Sequence, residues 1–244
     1  MKQEPHFRTE AELCSVFTGF VKTLQGWVAY AETAGWDILL AHADGTQIGI
    51  QAKLKLNLRV LEQTIEESRG RGATGPDFRA VLVPGTEGSS VLIDALGINL
   101  IKSRRRYDGR FEFEPGLLPN CYGDWQEWHY ANPEKRHELP EFVPDVAAGV
   151  PGPSQLTKWK IAALRIVAVL EVRGYVTRAD FRRYGVNHCR WVPSGWLKLD
   201  ELGRYTKGPN LNFAEKHPVM YPQILAEIAK DLPVVDGAEL RLSA

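Results

Sequence analysis

Asp37, Gln51 and Lys53 are the residues whose types and spacing could do chemistry. Asp37 opens one short apolar run, and Gln51 and Lys53 stand two apart in the next, within IGIQAKLKL. A carboxylate and an amide carbonyl are oxygen donors of the kind that Mg2+ or Mn2+ takes, and the Ala52 backbone carbonyl can add a third. A lysine on the face of Gln51 can hold a water or an anionic group. Phosphodiester hydrolysis asks for a nucleophilic water, in-line attack and stabilisation of added negative charge.

Two strands must carry these side chains. Residues 37–43 and 47–56 read as strands joined by Asp44-Gly45, a strong hairpin signal. In the second strand Ile48, Ile50, Ala52, Leu54 and Leu56 share one face, and Gly49, Gln51, Lys53 and Lys55 the other. A two-residue turn levels Asp37 with Ala52. A one-residue bulge or a fork is therefore expected, to bring Asp37 beside Gln51 and Lys53. Upstream, Leu13, Val16, Phe17, Phe20, Val21 and Leu24 recur at helical spacing across residues 9–25. Thr9 and Glu12 read as a capping box, and Gly26 as a helix stop. Residues 27–33 make a first strand. Downstream, Asn57 caps a helix through residue 69, followed by a loop, a strand at 78–84, a helix at 89–96 and a strand at 98–102.

This order of elements, with an acid opening the second strand and IQAK at residues 50–53 of the third, resembles the PD-(D/E)xK nuclease superfamily in its Mrr-like QxK branch. The resemblance covers residues 7–103. It implies an α/β, restriction-endonuclease-like fold: a central mixed sheet flanked by helices. It also implies DNA cleavage dependent on Mg2+ (or Mn2+). Asp37 and Gln51 would hold the metal, Lys53 would act on water or phosphate, and Glu12 would be a further acid on the first helix. Nucleases that cut both strands are often dimers, so a homodimer is an option. A second reading keeps the fold without catalysis, as a DNA-binding, regulatory or protein-interaction module of a phage or defence system. A plainer one leaves Gln51 and Lys53 as solvent-facing residues of a surface hairpin.

Composition changes after the first domain, residues 1–112. Residues 113–153 are rich in Pro, Gly and aromatics, including Tyr122, Trp125, Trp128 and Tyr130. They read as an extended connector packed on that domain, because disordered linkers are poor in Trp. Residues 154–244 read as a second domain. Helices are expected at 159–173, 177–184 and 221–230, with a third helix within 189–202 started by Pro193 or capped by Ser194. A hairpin with Gly208-Pro209-Asn210 at its tip completes a pattern resembling a winged helix-turn-helix, and GWLKLDELGRY is similar to the stretch that ends that family's third helix. Residues 153–230 hold thirteen Lys/Arg against six Asp/Glu. The expected partner is double-stranded DNA. Arg178, Arg182, Arg183, Arg190, Lys198, Arg204 and Lys207 would meet phosphates, and Asn187, His188 or Arg190 would read bases. A second basic cluster, KSRRRYDGR at 102–110, could track a DNA backbone.

Bulk properties narrow the class. The 244 residues carry zero formal net charge, and no apolar run approaches the roughly 20 residues that span a bilayer. The amino terminus, MKQEPHFRTEAEL, lacks the basic start and apolar core of a signal peptide. Cys14, Cys121 and Cys189 are odd in number and far apart, which suggests neither a disulfide framework nor a zinc site, and fits a reducing cytoplasm.

Overall fold

The computed structural model describes residues 7–66, 74–85, 90–115, 117, 128–146, 148–149 and 158–232. The chain divides into two compact units, Met1–Pro153 and Ser154–Ala244.

The first unit is mixed α/β. Helix α1, Glu10–Val21, starts where Thr9 Oγ1 accepts a hydrogen bond from the Glu12 amide at 3.1 Å. It ends earlier than its apolar spacing suggests. The Thr23 hydroxyl donates to the Phe20 carbonyl at 2.7 Å, and the chain tightens into a turn closing on Gly26 at φ +82°. A six-stranded sheet follows in chain order: β1 Trp27–Thr33, β2 Trp36–His42, β3 Gln47–Ala52, β4 Phe78–Pro84, β5 Asn99–Arg105 and β6 Phe111–Glu114. The first three strands are antiparallel, β3, β4 and β5 are parallel, and β6 returns antiparallel. Helices α2, Leu58–Glu66, and α3, Ser90–Ala95, lie in the two parallel crossovers.

Alternation along the strands builds two cores. Leu13, Phe17 and Val21 of α1 pack with Ile38, Leu40, Ile48, Ile50, Ala52 and Leu82. Val60 and Leu61 of α2 and Ile93 of α3 pack with Val81 and Val83. The sheet is thus covered by α1 on one face and by α2 and α3 on the other.

Two expectations change here. Strand β3 stops at Ala52 rather than Leu56. Strand β5 runs on to Arg105 and pairs with β6, so the basic cluster forms a hairpin instead of a loop. Arg104 pairs with Glu114 and Arg106 with Glu112, all well exposed. The connector packs on the sheet. Tyr130 bridges to Phe78, and Lys135 to Thr74. Buried Asp77 accepts from the Gln47 amide and pairs with Arg136, each at 2.8 Å. Trp128 is buried edge-on to Phe78. Tyr122, Trp125 and Cys121 lie outside the described residues.

The second unit contains α4, Lys158–Arg173; α5, Arg178–Arg183; a 3₁₀ turn, His188–Arg190; β7, Leu197–Leu199; β8, Tyr205–Lys207; and α6, Met220–Asp231. The expected third helix is absent among the described residues. The wing hairpin falls earlier, on β7 and β8, and Gly208-Pro209-Asn210 lies after it rather than at its tip. Leu197 is buried while Lys198 is exposed, and Asp200 turns the chain, accepting from the Leu202 and Arg204 amides at 3.0 and 2.8 Å. Gly195, in the left-handed region at φ +69°, breaks the expected helix ahead of the strand. Cys14 and Cys189 are free thiols. Among the described residues no helix is long and apolar enough to cross a membrane.

Candidate active site

The β2–β3 hairpin settles the register. Ile38 pairs with Ile50, Leu39 with Gly49, Leu40 with Ile48 and Ala41 with Gln47. The two-residue turn is replaced by a three-residue loop, Ala43-Asp44-Gly45. The Gly45 amide donates to the His42 carbonyl at 2.9 Å, and the His42 amide to the Thr46 carbonyl at 2.8 Å. Gly45 sits at φ +91°, as a type I turn followed by a glycine bulge requires. The extra residue levels Asp37 with Gln51.

Beyond Ile38 and Ile50 the strands fork. Asp37 Oδ2 accepts the Ala52 amide at 2.8 Å, so a carboxylate stands where a ladder bond would continue. Lys53 lies one residue past the end of β3. Its Nζ donates to Glu10 Oε2 on α1 at 2.7 Å, with both side chains partly exposed. Glu32 lies between the pairs Ala31–Ile38 and Thr33–Trp36, level with Asp37. It holds the left-handed conformation, φ +46°, and its Oε1 accepts the Gly149 amide at 2.8 Å. A Cβ on Gly149 would lie 3.1 to 3.2 Å from the Glu10 and Ala11 backbone and from Cys14 Sγ. The Glu32 carboxylate is thereby placed beside the start of α1.

The charges of this fork feel one another. Burial pushes the Asp37 carboxyl above its ordinary range, opposed by the Ala52 hydrogen bond and by Lys53, and reinforced by Glu10. Burial likewise raises Glu32, with Asp37 adding to the rise and the Gly149 bond and Lys53 reducing it. The Cys14 thiol is pushed up to about 12, first by burial and then by Asp37, Glu32 and Glu10. Cys14 is thus an inert core residue.

Gln51 takes a different place. It is buried, and its Nε2 donates to the Gly35 carbonyl at 2.9 Å. Its neighbours Ile50 and Ala52 face α1, so alternation turns Gln51 to the other side. That side carries Gly49, over which the Trp36 ring packs, and Val81, the partner of Gln51 across the parallel ladder. Glu12 also stays apart: its Oε2 accepts the Arg8 amide at 2.8 Å, a helix-capping role. The structure therefore gathers Asp37 and Lys53 with Glu10 and Glu32. Glu10 and Glu32 escaped sequence reasoning, although Glu10 stands one turn ahead of the core position Leu13.

These donors suit a hard cation of modest demands. Mg2+ is commonly held by one or two carboxylates, with water and substrate phosphate completing its shell. Asp37 has a second oxygen to offer, and Glu10 and Glu32 add negative charge. Among the described residues no group of three or more His, Cys, Asp or Glu is arranged to hold a metal by itself.

The cations expected to meet nucleic acid divide into two sets. Arg183 pairs with Asp231 at 3.3 Å, and Arg204 with Asp200 at 2.8 Å while lying over the Tyr175 ring. Arg178, Arg182, Arg190, Lys198 and Lys207 are exposed. Asn187 caps the 3₁₀ turn through the Cys189 amide, and His188 packs on Phe181 and meets the Tyr205 hydroxyl. Comparison with protein-family models, curated proteins and solved structures finds no match for the chain.

Proposed function

We propose that the protein is a metal-dependent DNA endonuclease of restriction-endonuclease-like architecture, with the second unit holding duplex DNA. The observation that carries this reading is the forked end of β2 and β3. Asp37 stands at its mouth, and Lys53 is anchored beside it by Glu10.

Asp37 would hold Mg2+ or Mn2+, with water and substrate phosphate completing the shell, while Gln51 stays bonded to Gly35. When bound, the cation would supply Lewis-acid stabilisation of the phosphate and a more acidic water. The chain's own residues do the rest. The Ala52 amide fixes the Asp37 carboxylate, so its orientation does not depend on ligand. Lys53 has three ammonium protons and uses one on Glu10, leaving two to position a water or the scissile phosphate. Glu10 keeps the lysine aimed at the fork. Glu32 holds Gly149, and with it the end of the connector, against α1.

The Lys53–Glu10 pair also favours a second reading, the same fold without cleavage, in which the lysine is a structural cation. Supercoiled plasmid incubated with the purified protein and Mg2+ or Mn2+ separates the two. Under the nuclease reading, wild type nicks or linearises the plasmid. Lys53→Ala and Asp37→Asn lose at least about 100-fold in rate while still folding cooperatively, so that lost activity is not lost structure. DNA binding without cleavage by wild type in either metal would establish the second reading.

A further inference from the structure

We infer that the second unit grips duplex DNA through backbone phosphates, without reading bases, so that its choice of substrate is independent of sequence. The inference rests on the DNA-cleaving reading above and specifies its substrate class.

In a winged helix-turn-helix, reading the major groove takes a recognition helix that presents polar side chains to base edges. After α5 the chain offers only the 3₁₀ turn His188–Arg190 before it becomes strand β7. Two of the polar side chains at this place already have structural work. Asn187 Oδ1 accepts the Cys189 amide at 2.9 Å. His188 stacks within a cluster of Phe181, Trp191 and Tyr205, and its Nδ1 lies 3.4 Å from the Tyr205 hydroxyl. Turning either toward a base would break the turn's cap or open the aromatic core.

What remains is positive charge. The four arginines Arg165, Arg173, Arg183 and Arg204 are paired with Glu227, Asp180, Asp231 and Asp200. Arg178 and Arg182 on α5, Arg190 on the turn, and Lys198 and Lys207 on the hairpin are exposed and have no carboxylate partner among the described residues. Arg178 and Arg182 are four apart and share one helix face. The elements bearing all five are locked together by the aromatic cluster and by the Val176–Tyr205 bridge between α5's approach and β8. Long cationic side chains on a rigid, aromatic-cored platform suit phosphates, and each such contact releases counterions rather than reading sequence.

Fluorescence polarisation of the full chain with labelled duplexes, in EDTA to prevent cleavage, tests this. Three 25-base-pair duplexes of unrelated sequence are expected to bind within about threefold of one another. The slope of log affinity against log salt is expected to fall by about one for each of Lys198→Ala, Lys207→Ala and Arg178→Ala. Asn187→Ala is expected to leave the ranking of the duplexes unchanged. These cations are exposed, so the variants should melt as wild type does. A preference of tenfold or more for one duplex, removed by Asn187→Ala, would overturn the inference and leave the nuclease reading standing. So would plasmid cleavage by a protein whose salt slope ignores all three charge removals, or tighter binding of double-stranded RNA than of DNA. Absence of DNA binding by wild type at low salt would instead sink the DNA reading itself.

Discussion

Asp37 is the residue at which stability and activity pull apart. Its carboxylate is largely buried, level with Glu32 and in the field of Glu10. Like charges level across two strands are unfavourable without a cation or proton between them. Asp37→Asn keeps an oxygen for the Ala52 amide and removes the charge. It is therefore expected to raise the melting temperature at neutral pH by about 2–4 °C, the effect of about 1 kcal/mol on a protein of this size, while abolishing cleavage. The pH dependence follows the sign of the shift. A carboxyl whose folded-state pKa is raised holds its proton more tightly in the fold than in the unfolded chain. Its contribution is complete below the unfolded value, about 4, and is lost as pH rises through the folded one. The advantage of Asp37→Asn should thus grow as pH rises above about 4 in calorimetric scans. A constant gap would mean that Asp37 carries no burial cost.

The β2–β3 hairpin is the element that makes the site, and it does so through its turn. Asp44-Gly45 was legible in the sequence as a reversal, but the loop takes in Ala43 as well, and that one residue levels Asp37 with Gln51 rather than Ala52. Gly49 tests the packing behind it. A Cβ there would collide with the Trp36 ring, which is itself almost wholly buried. Gly49→Ala is expected to cost about 1–3 kcal/mol in denaturant titration and to lower cleavage, because Trp36 adjoins Asp37. A neutral result would show that Trp36 can move aside without disturbing the fork. In the second unit the equivalent element is the β7–β8 hairpin. Asp200 caps it through two amides and through the Arg204 side chain. Asp200→Ala should lower the thermal transition of that unit, because two amides and the Arg204 side chain lose their acceptor.

At the scale of the whole molecule the chain is two compact units, each with its own apolar interior. Phe181 is buried at the centre of the second, against Trp191, Tyr205 and His188. Phe181→Ala is expected to remove about 3–5 kcal/mol from that unit and to leave the first unit's transition in place. Loss of both transitions together would show that the units unfold as one. The sequence by itself determined the order of elements from α1 to β5, the capping at Thr9 and the position of the β2–β3 hairpin, but not strand β6. Those features follow from local periodicity, turn residues and composition. Only the tertiary structure decided the three-residue loop, the fork at Asp37, the approach of Glu10 and Glu32, and the turning away of Gln51. It also replaced the expected third helix by strand β7, in which Leu197 is buried. Such outcomes depend on how faces pack against one another across the sheet, and a side chain's final neighbours are set by that packing rather than by its spacing along the chain.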